Sequence, residues 1–128
     1  QTKVIQIDDI DHDVLVEMFR YLYTDNVPKI KEMALDLLIA GNKYDISGLV
    51  SQCQIYLAEH LSIESFAEIL IVADRLLIHE LKKAVINYLM ENIEKAFTSD
   101  GYAHLKARHV PLAMEVLEQY TLRTLNKP

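Results

Sequence analysis

The chain of 128 residues is about one domain long and is 51% hydrophobic and 25% charged, which is typical of a globular protein able to bury a core. Its net charge of −6 arises in residues 1–64, which hold eleven acidic and five basic side chains. This balance argues against nucleic-acid binding, which requires basic patches, and it fits either a basic protein partner or solvated helix faces. No apolar run approaches the ~20 residues of a membrane span, and no signal peptide opens the chain.

A short strand is predicted at 3–7, where apolar and polar residues partly alternate. No second convincing strand follows it, and a single strand needs a sheet to join. We therefore expect that the chain is a fragment, or that its beginning has been removed.

Three helices are predicted next. The first begins after Asp11, whose side chain is placed to cap it, and it ends before Pro28, which blocks continuation. The second covers about 32–43, and the third begins at Ser47. Cys53 lies in the apolar stripe of the third helix, which predicts a buried, reduced thiol and a cytoplasmic or nuclear location.

A fourth helix is predicted from its cap at Ser62, with Glu64 in its first turn. Its wide apolar stripe predicts a central helix packed on several sides. The stripe consists of Phe66, Ile69, Leu70, Ala73 and Leu77. Further helices are predicted at 80–93, 102–108 and 111–125, so that the whole fold is one strand and seven helices.

The chain contains an internal repeat. A shift of 33 residues places 38–40 on 71–73, and a shift of 32 residues places the apolar pattern of 49–61 on 81–93. The repeated unit is a helical hairpin, and such hairpins bury one face on their neighbours and offer the other to a partner. The repeat therefore indicates a binding protein rather than an enzyme.

No motif for catalysis, cofactor binding or metal binding emerges from the sequence. The five histidines are scattered, and His104 and His109 lack the spacing that puts two ligands on one helix face. Three glycines in the whole chain leave no phosphate-binding loop. The acidic run at 8–13 lacks the glycine and the glutamate of a calcium loop, and is interpreted as a solvated turn.

Tyr21 and Tyr23 allow two interpretations. They could lock the end of the first helix by packing, or they could form an exposed aromatic platform at a partner interface, where tyrosine is enriched.

Three segments carry a resemblance to a known family. Residues 18–25 (MFRYLYTD), 36–44 (DLLIAGNKY) and 61–74 (LSIESFAEILIVAD) resemble, in turn, the late helices of a BTB/POZ domain and the segment called the 3-box. Together they resemble the MATH-BTB family typified by speckle-type POZ protein. The resemblance implies a mainly α fold, with a partial BTB/POZ domain (one strand plus helical hairpins) at 1–60. It continues into a bundle of 3-box and short BACK helices at 61–128.

The same resemblance implies a function. Such proteins are non-catalytic substrate adaptors of a cullin-3 RING E3 ubiquitin ligase, acting in protein ubiquitination without a cofactor, a nucleic acid or a membrane. A domain outside this chain would bind substrates. Homodimers or oligomers would form through the BTB and BACK parts, with the first BTB half required. Two departures from the family pattern are Asp25, in place of a glycine, and Gln54, in place of a glutamate.

By motif position, the resemblance assigns two sets of residues. The cullin-binding set is Tyr23, Thr24, Asp25, Asn26, Leu61, Ser62, Ile63, Glu64, Ser65 and Glu68. The self-association set is Gly101, Tyr102 and Leu117. Two alternatives stay open: a BTB-type oligomerisation scaffold or transcription-related interaction domain without a ligase role, and an independent helical-repeat peptide binder.

Overall fold

The computed structural model describes residues 10–126, and within this range the chain forms eight α-helices. The mainly α fold is confirmed, whereas the predicted strand at 3–7 lies outside the described residues. The helices are α1 (His12–Thr24), α2 (Ile30–Lys43), α3 (Ser47–Glu59), α4 (Phe66–Arg75), α5 (His79–Glu91), α6 (Ile93–Phe97), α7 (Asp100–Arg108) and α8 (Val110–Leu125).

The helix that the sequence analysis did not separate is α6. Asn92 divides it from α5, because the backbone of Asn92 leaves the helical region at φ −132° and ψ 35°. Its side-chain Nδ2 donates a hydrogen bond of 2.9 Å to the carbonyl of Tyr88. Asparagine often competes with the helix backbone in this way, so the predicted helix at 80–93 ends early.

The chain divides into two compact units, Gln1–Leu57 and Ala58–Pro128. In the first unit, α1 packs against α2, and the fully buried side chains include Leu37, Leu38, Leu49 and Cys53. The predicted burial of Cys53 is confirmed. Burial raises the pKa of its thiol to about 12, so the reactive thiolate is scarce at neutral pH.

Asp11 precedes α1 as predicted, but its side chain makes no capping hydrogen bond. The first bond of the helix runs instead from the Leu15 N–H to the Asp11 carbonyl, at 3.0 Å. The predicted side-chain cap is therefore wrong, since only the backbone of Asp11 anchors the helix.

Ser62 caps a turn rather than α4, which begins at Phe66. The Ser62 N–H donates to Ser65 Oγ and the Ser65 N–H donates to Ser62 Oγ, each at 3.2 Å. This exchange resembles a capping box, and it closes a separate turn at 62–65. The predicted cap at Ser62 is therefore wrong: the residue that precedes α4 is Ser65, and its side chain makes no capping hydrogen bond to the helix.

The repeat detected in the sequence is visible as the same corner in each unit. The Ile46 N–H donates to the Gly41 carbonyl at 2.8 Å, and the Ile78 N–H donates to the Ala73 carbonyl at 2.9 Å. The residue before each donor, Asp45 or Leu77, has a positive φ of about 60°. Both corners are therefore left-handed helix ends that turn the chain into the next helix.

The prediction that Leu77 lies in the core is wrong, because Leu77 is part of this corner. Helix α4 ends at Arg75, so the helical spacing that placed Leu77 on the buried stripe does not extend to it. Its left-handed backbone turns the side chain outward, and Leu77 is 71% exposed. The other four residues of the predicted stripe are buried.

Phe66 is the largest fully buried side chain of the second unit. Helix α4 packs against α5 and α7, and α8 packs against α5 and α7. Gly101 allows the close approach of α7, because a Cβ atom there would lie 3.1 Å from both Phe66 Cε2 and Ala67 Cβ. The Phe66 ring therefore fills the space beneath the start of α7.

Lys82 joins three helices of the second unit. Its Nζ lies 2.8 Å from Asp74 Oδ1 of α4 and 3.0 Å from Glu115 Oε1 of α8. Burial alone would lower the pKa of Lys82, but its hydrogen bonds to the two carboxylates and their charges raise it above the ordinary value. The ammonium form is thus stabilised in the folded chain.

Lys82→Met is expected to lower the free energy of unfolding by about 1 kcal/mol at neutral pH, a small value because both carboxylates are partly exposed. Because the folded pKa is raised, the contribution is complete below the ordinary lysine pKa of about 10.4 and is lost as pH rises through the folded value. Denaturant titrations of the unmodified protein and of Lys82→Met, from neutral to alkaline pH, measure the difference in their free energies of unfolding. A difference that grows with pH would contradict it, and Lys83→Met, at an exposed neighbour, is the control.

Within residues 10–126, no helix is both long enough and apolar enough to cross a lipid bilayer.

Candidate functional site

In the first unit, the segment 23–26 forms an exposed turn at the end of α1. Thr24 Oγ1 donates to the Arg20 carbonyl at 2.8 Å and accepts from the Asn26 N–H at 3.1 Å. Asp25 adopts a left-handed conformation, with φ 61° and ψ 14°, and its N–H donates to the Tyr21 carbonyl at 2.7 Å. The turn is therefore held by its own hydrogen bonds while its side chains face solvent.

The two tyrosines of α1 have different surroundings. Tyr21 is half-buried and its hydroxyl lies against Gly48 at the start of α3, as expected of a packing residue. Tyr23 is 88% exposed. Of the two interpretations, packing describes Tyr21, and a surface available to a partner describes Tyr23.

A buried carboxylate fixes the connection that follows this turn. Glu17 is 1% exposed; its Oε2 accepts from the Lys29 N–H at 2.9 Å, and its Oε1 lies 3.4 Å from Arg20 Nη1. The contact across twelve residues ties α1 to the start of α2. Glu17 does not stand out in the sequence, because helical spacing shows which face a residue is on but not which backbone group it will meet.

In the second unit, the turn at 62–65 presents both apolar and acidic groups. Leu61, Ser62, Ile63 and Ser65 are half-buried, whereas the carboxylates of Glu64 and Glu68 are exposed. The Ser62–Ser65 exchange fixes the backbone of this turn. A fixed backbone with a partly exposed aliphatic side chain and flanking charges is typical of a protein-interaction surface.

The three residues assigned to self-association lie in different surroundings. Leu117 is 46% exposed on α8, next to the exposed Met114 and Leu122. Tyr102 is only 7% exposed, and its hydroxyl donates to the Ala113 carbonyl at 3.0 Å. Burial raises the pKa of Tyr102. Of the three, Leu117 offers the largest contact surface, and the role of the set stays a prediction.

A cleft of about 400 Å³ joins two parts of the second unit that the sequence analysis treated separately. Ile63 and Glu64 form one side, and the corner at 98–101 forms the other. One residue of this corner, Gly101, belongs to the set assigned to self-association. The Ser99 hydroxyl of the corner accepts from the Tyr102 N–H at 3.1 Å and caps α7.

The first unit carries an apolar groove of about 540 Å³. Phe19 and Leu22 of α1 are about half exposed along it, and the other lining residues are Leu15, Met18, Tyr44 and Ile46. Helical spacing alone puts the four lining residues of α1 on one apolar side, but spacing does not show that this side stays partly open.

Among the described residues, no group of three or more histidine, cysteine, aspartate or glutamate side chains is arranged to hold a metal ion. His104 and His109 do approach each other, with ring centroids 5.4 Å apart, because the corner between α7 and α8 lies between them.

Two family models match adjacent segments of the chain. The BTB/POZ domain model matches residues 1–61, and the BPM/SPOP BACK domain model matches residues 65–117. The two matches together cover 114 of the 128 residues, BTB/POZ first and BACK second, and the chain is called the BTB–BACK chain below. The predicted resemblance is thereby confirmed, and BTB and BACK domains of this adaptor type are generally non-catalytic.

Two relatives show the extent of the similarity. The BTB–BACK chain is 31% identical over 120 residues to protein maternal effect lethal 26 of Caenorhabditis elegans, covering 93% of this chain and 30% of that protein. It is 31% identical over 116 residues to TD and POZ domain-containing protein 4 of Mus musculus, covering 89% of this chain and 31% of that protein. The chain spans about a third of the length of these curated relatives.

Asp25 illustrates how the BTB–BACK chain departs from its family pattern without losing the local geometry. The left-handed backbone at Asp25 is the conformation that glycine adopts without a steric penalty, which explains the glycine expected there from the resemblance. Aspartate tolerates this conformation better than most residues. The turn is therefore kept, and a carboxylate is added to its exposed surface.

Proposed function

We propose that the chain is the cullin-binding module of a substrate adaptor in a cullin-3 RING E3 ubiquitin ligase. The observation that carries this proposal is the fixed turn at 62–65, which bridges the end of the BTB/POZ match and the start of the BACK match. In this proposal the BTB part covers 1–60 and the 3-box and BACK part covers 61–128. The partner is the N-terminal domain of cullin-3.

The proposed contacts lie on two separate surfaces, one in each unit. In the first unit, the exposed turn at 23–26 supplies Tyr23 as an aromatic anchor, with the exposed carboxylate of Asp25 in the same turn. In the second unit, Ile63 supplies an aliphatic anchor, and the exposed carboxylates of Glu64 and Glu68 follow it in the chain. On each surface the apolar anchor would give affinity, and the charged groups would give specificity and association rate.

The remaining elements of the proposal follow from the family. The module acts without a cofactor and without catalysis of its own, in the cytoplasm or the nucleus. A domain outside residues 1–128 binds the substrate. Self-association through the BTB and BACK parts, with Gly101, Tyr102 and Leu117 contributing, brings several copies into one complex.

Ile63→Asp is expected to weaken binding of the cullin-3 N-terminal domain by at least about tenfold, because it places a charge where an apolar side chain meets the partner. Isothermal titration of the intact protein measures this. Ile55→Asp is the matched control: Ile55 is 58% exposed and lies outside the proposed surface. If Ile63→Asp and the unmodified protein bound with equal affinity, and circular dichroism showed both to be folded, Ile63 would not contact cullin-3.

A second candidate function is an oligomerisation scaffold without a ligase. The exposed apolar residues of α8 favour it, because Met114, Leu117, Leu122 and Leu125 are each about half exposed or more. Light scattering combined with a cullin-3 pull-down separates the two: oligomers that retain no cullin would support the scaffold and overturn the adaptor.

A further inference from the structure

A groove of about 320 Å³ lies between α5 and α8 in the second unit. Its walls are one face of each helix, with residues 79–87 on one side and 115–123 on the other. Eight helical steps rise about 12 Å, so the groove is a trough about two helical turns long. A trough of this kind fits an extended chain better than a compact ligand.

Some basic side chains of this groove are already paired, and others are available to a ligand. Its only acidic lining residue, Glu115, is already paired with Lys82 at 3.0 Å. Lys83 and His79 have no hydrogen bond or ion pair among the described residues. Arg123 gives one bond, of 2.7 Å from Nη2 to Asn87 Oδ1. That bond orients the guanidinium and leaves other donors free.

The groups that can donate hydrogen bonds to an anion, His79, Lys83 and Arg123, are spread along the trough rather than gathered at a point. His79 and Lys83 are one helical turn apart on α5, and Asn87, one turn further, holds Arg123. Each turn of four residues advances about 6 Å, close to the 6.6 Å or so between alternate residues of an extended strand. Alternate side chains of a strand also point to the same side.

We propose that this groove binds an extended acidic peptide segment whose carboxylates lie at alternate residues. The carboxylates would face His79, Lys83 and Arg123 in turn, while the nearly buried Ile86 provides an apolar floor. None of the residues assigned to cullin binding or to self-association lines the groove. The site is therefore additional to the proposed function and independent of it.

The test uses the intact protein and a fluorescein-labelled, end-blocked peptide reading Glu-Ser-Glu-Ser-Glu, with fluorescence anisotropy in a low-salt buffer. Lys83→Gln combined with Arg123→Gln is expected to weaken binding by at least about tenfold, and added salt should weaken binding to the unmodified protein. Lys95→Gln combined with Arg108→Gln is the charge-matched control. Both control residues are exposed, and this variant should bind within about twofold of the unmodified protein.

Other outcomes would overturn the proposal. Equal loss in the two double variants would show a response to net charge alone. If Glu-Glu-Glu-Ser-Ser bound as tightly as Glu-Ser-Glu-Ser-Glu, the groove would not select carboxylates at alternate residues. If Lys-Ser-Lys-Ser-Lys bound as tightly, the groove would not recognise negative charge. Displacement of the peptide by inorganic phosphate at equal concentration would assign the groove to a simple anion.

Discussion

Glu17→Ala is expected to lower the free energy of unfolding of the first unit by about 2–3 kcal/mol. The carboxylate is almost fully buried, and its removal takes away a charged acceptor from the Lys29 N–H. Hydrogen bonds to charged groups contribute about 1.5–3 kcal/mol. The ion pair of the same carboxylate with Arg20 adds less, because the Arg20 side chain is 41% exposed. Urea denaturation followed by circular dichroism measures the change.

Two further variants make this result specific. Glu17→Gln keeps an oxygen that can accept from the Lys29 N–H, so it should recover part of the loss. Glu32→Ala removes an exposed carboxylate of the neighbouring helix and should cost no more than about 0.5 kcal/mol. Equal costs for Glu17→Ala and Glu32→Ala would show that the buried contact does not stabilise the first unit.

The location of the helices could be predicted because the information is local. Apolar spacing, together with capping and helix-breaking residues, identified seven of the eight helices of the described range, and the internal repeat predicted two hairpins that indeed share one corner geometry. Helix ends were less predictable. At Asn92 the side chain competes with the backbone, and at Leu77 the backbone turns left-handed despite a residue that disfavours this. Neither effect alters apolar periodicity.

Some residues of the candidate site can be identified from the local sequence, whereas others come together only through packing. The residues at 23–26 and 62–65 are identified by their resemblance to family motifs, although 62–65 was expected to open a helix rather than to form a separate turn. Each turn is built from hydrogen bonds between near neighbours. The groove between α5 and α8 could not be found from the sequence, because Lys82 and Glu115 are far apart in the chain and meet only through packing. The contact of Glu17 with Lys29 is hidden for the same reason.

Phe66 and Leu77 give the sharpest test of structure against periodicity, because spacing places both in one buried stripe. Phe66 is fully buried, whereas Leu77 is 71% exposed. Phe66→Ala is therefore expected to lower the free energy of unfolding of the second unit by about 3–5 kcal/mol, through lost burial and a cavity under Gly101.

Leu77→Ala should instead change the free energy of unfolding by less than about 0.5 kcal/mol, because an exposed side chain loses little on truncation. Leu77→Gly should be neutral or stabilising, since glycine relieves the backbone at positive φ. Guanidinium denaturation of the three variants measures these differences. A loss for Leu77→Ala as large as that for Phe66→Ala would mean that α4 continues through the corner, and that the left-handed turn shared by the two hairpins does not form there.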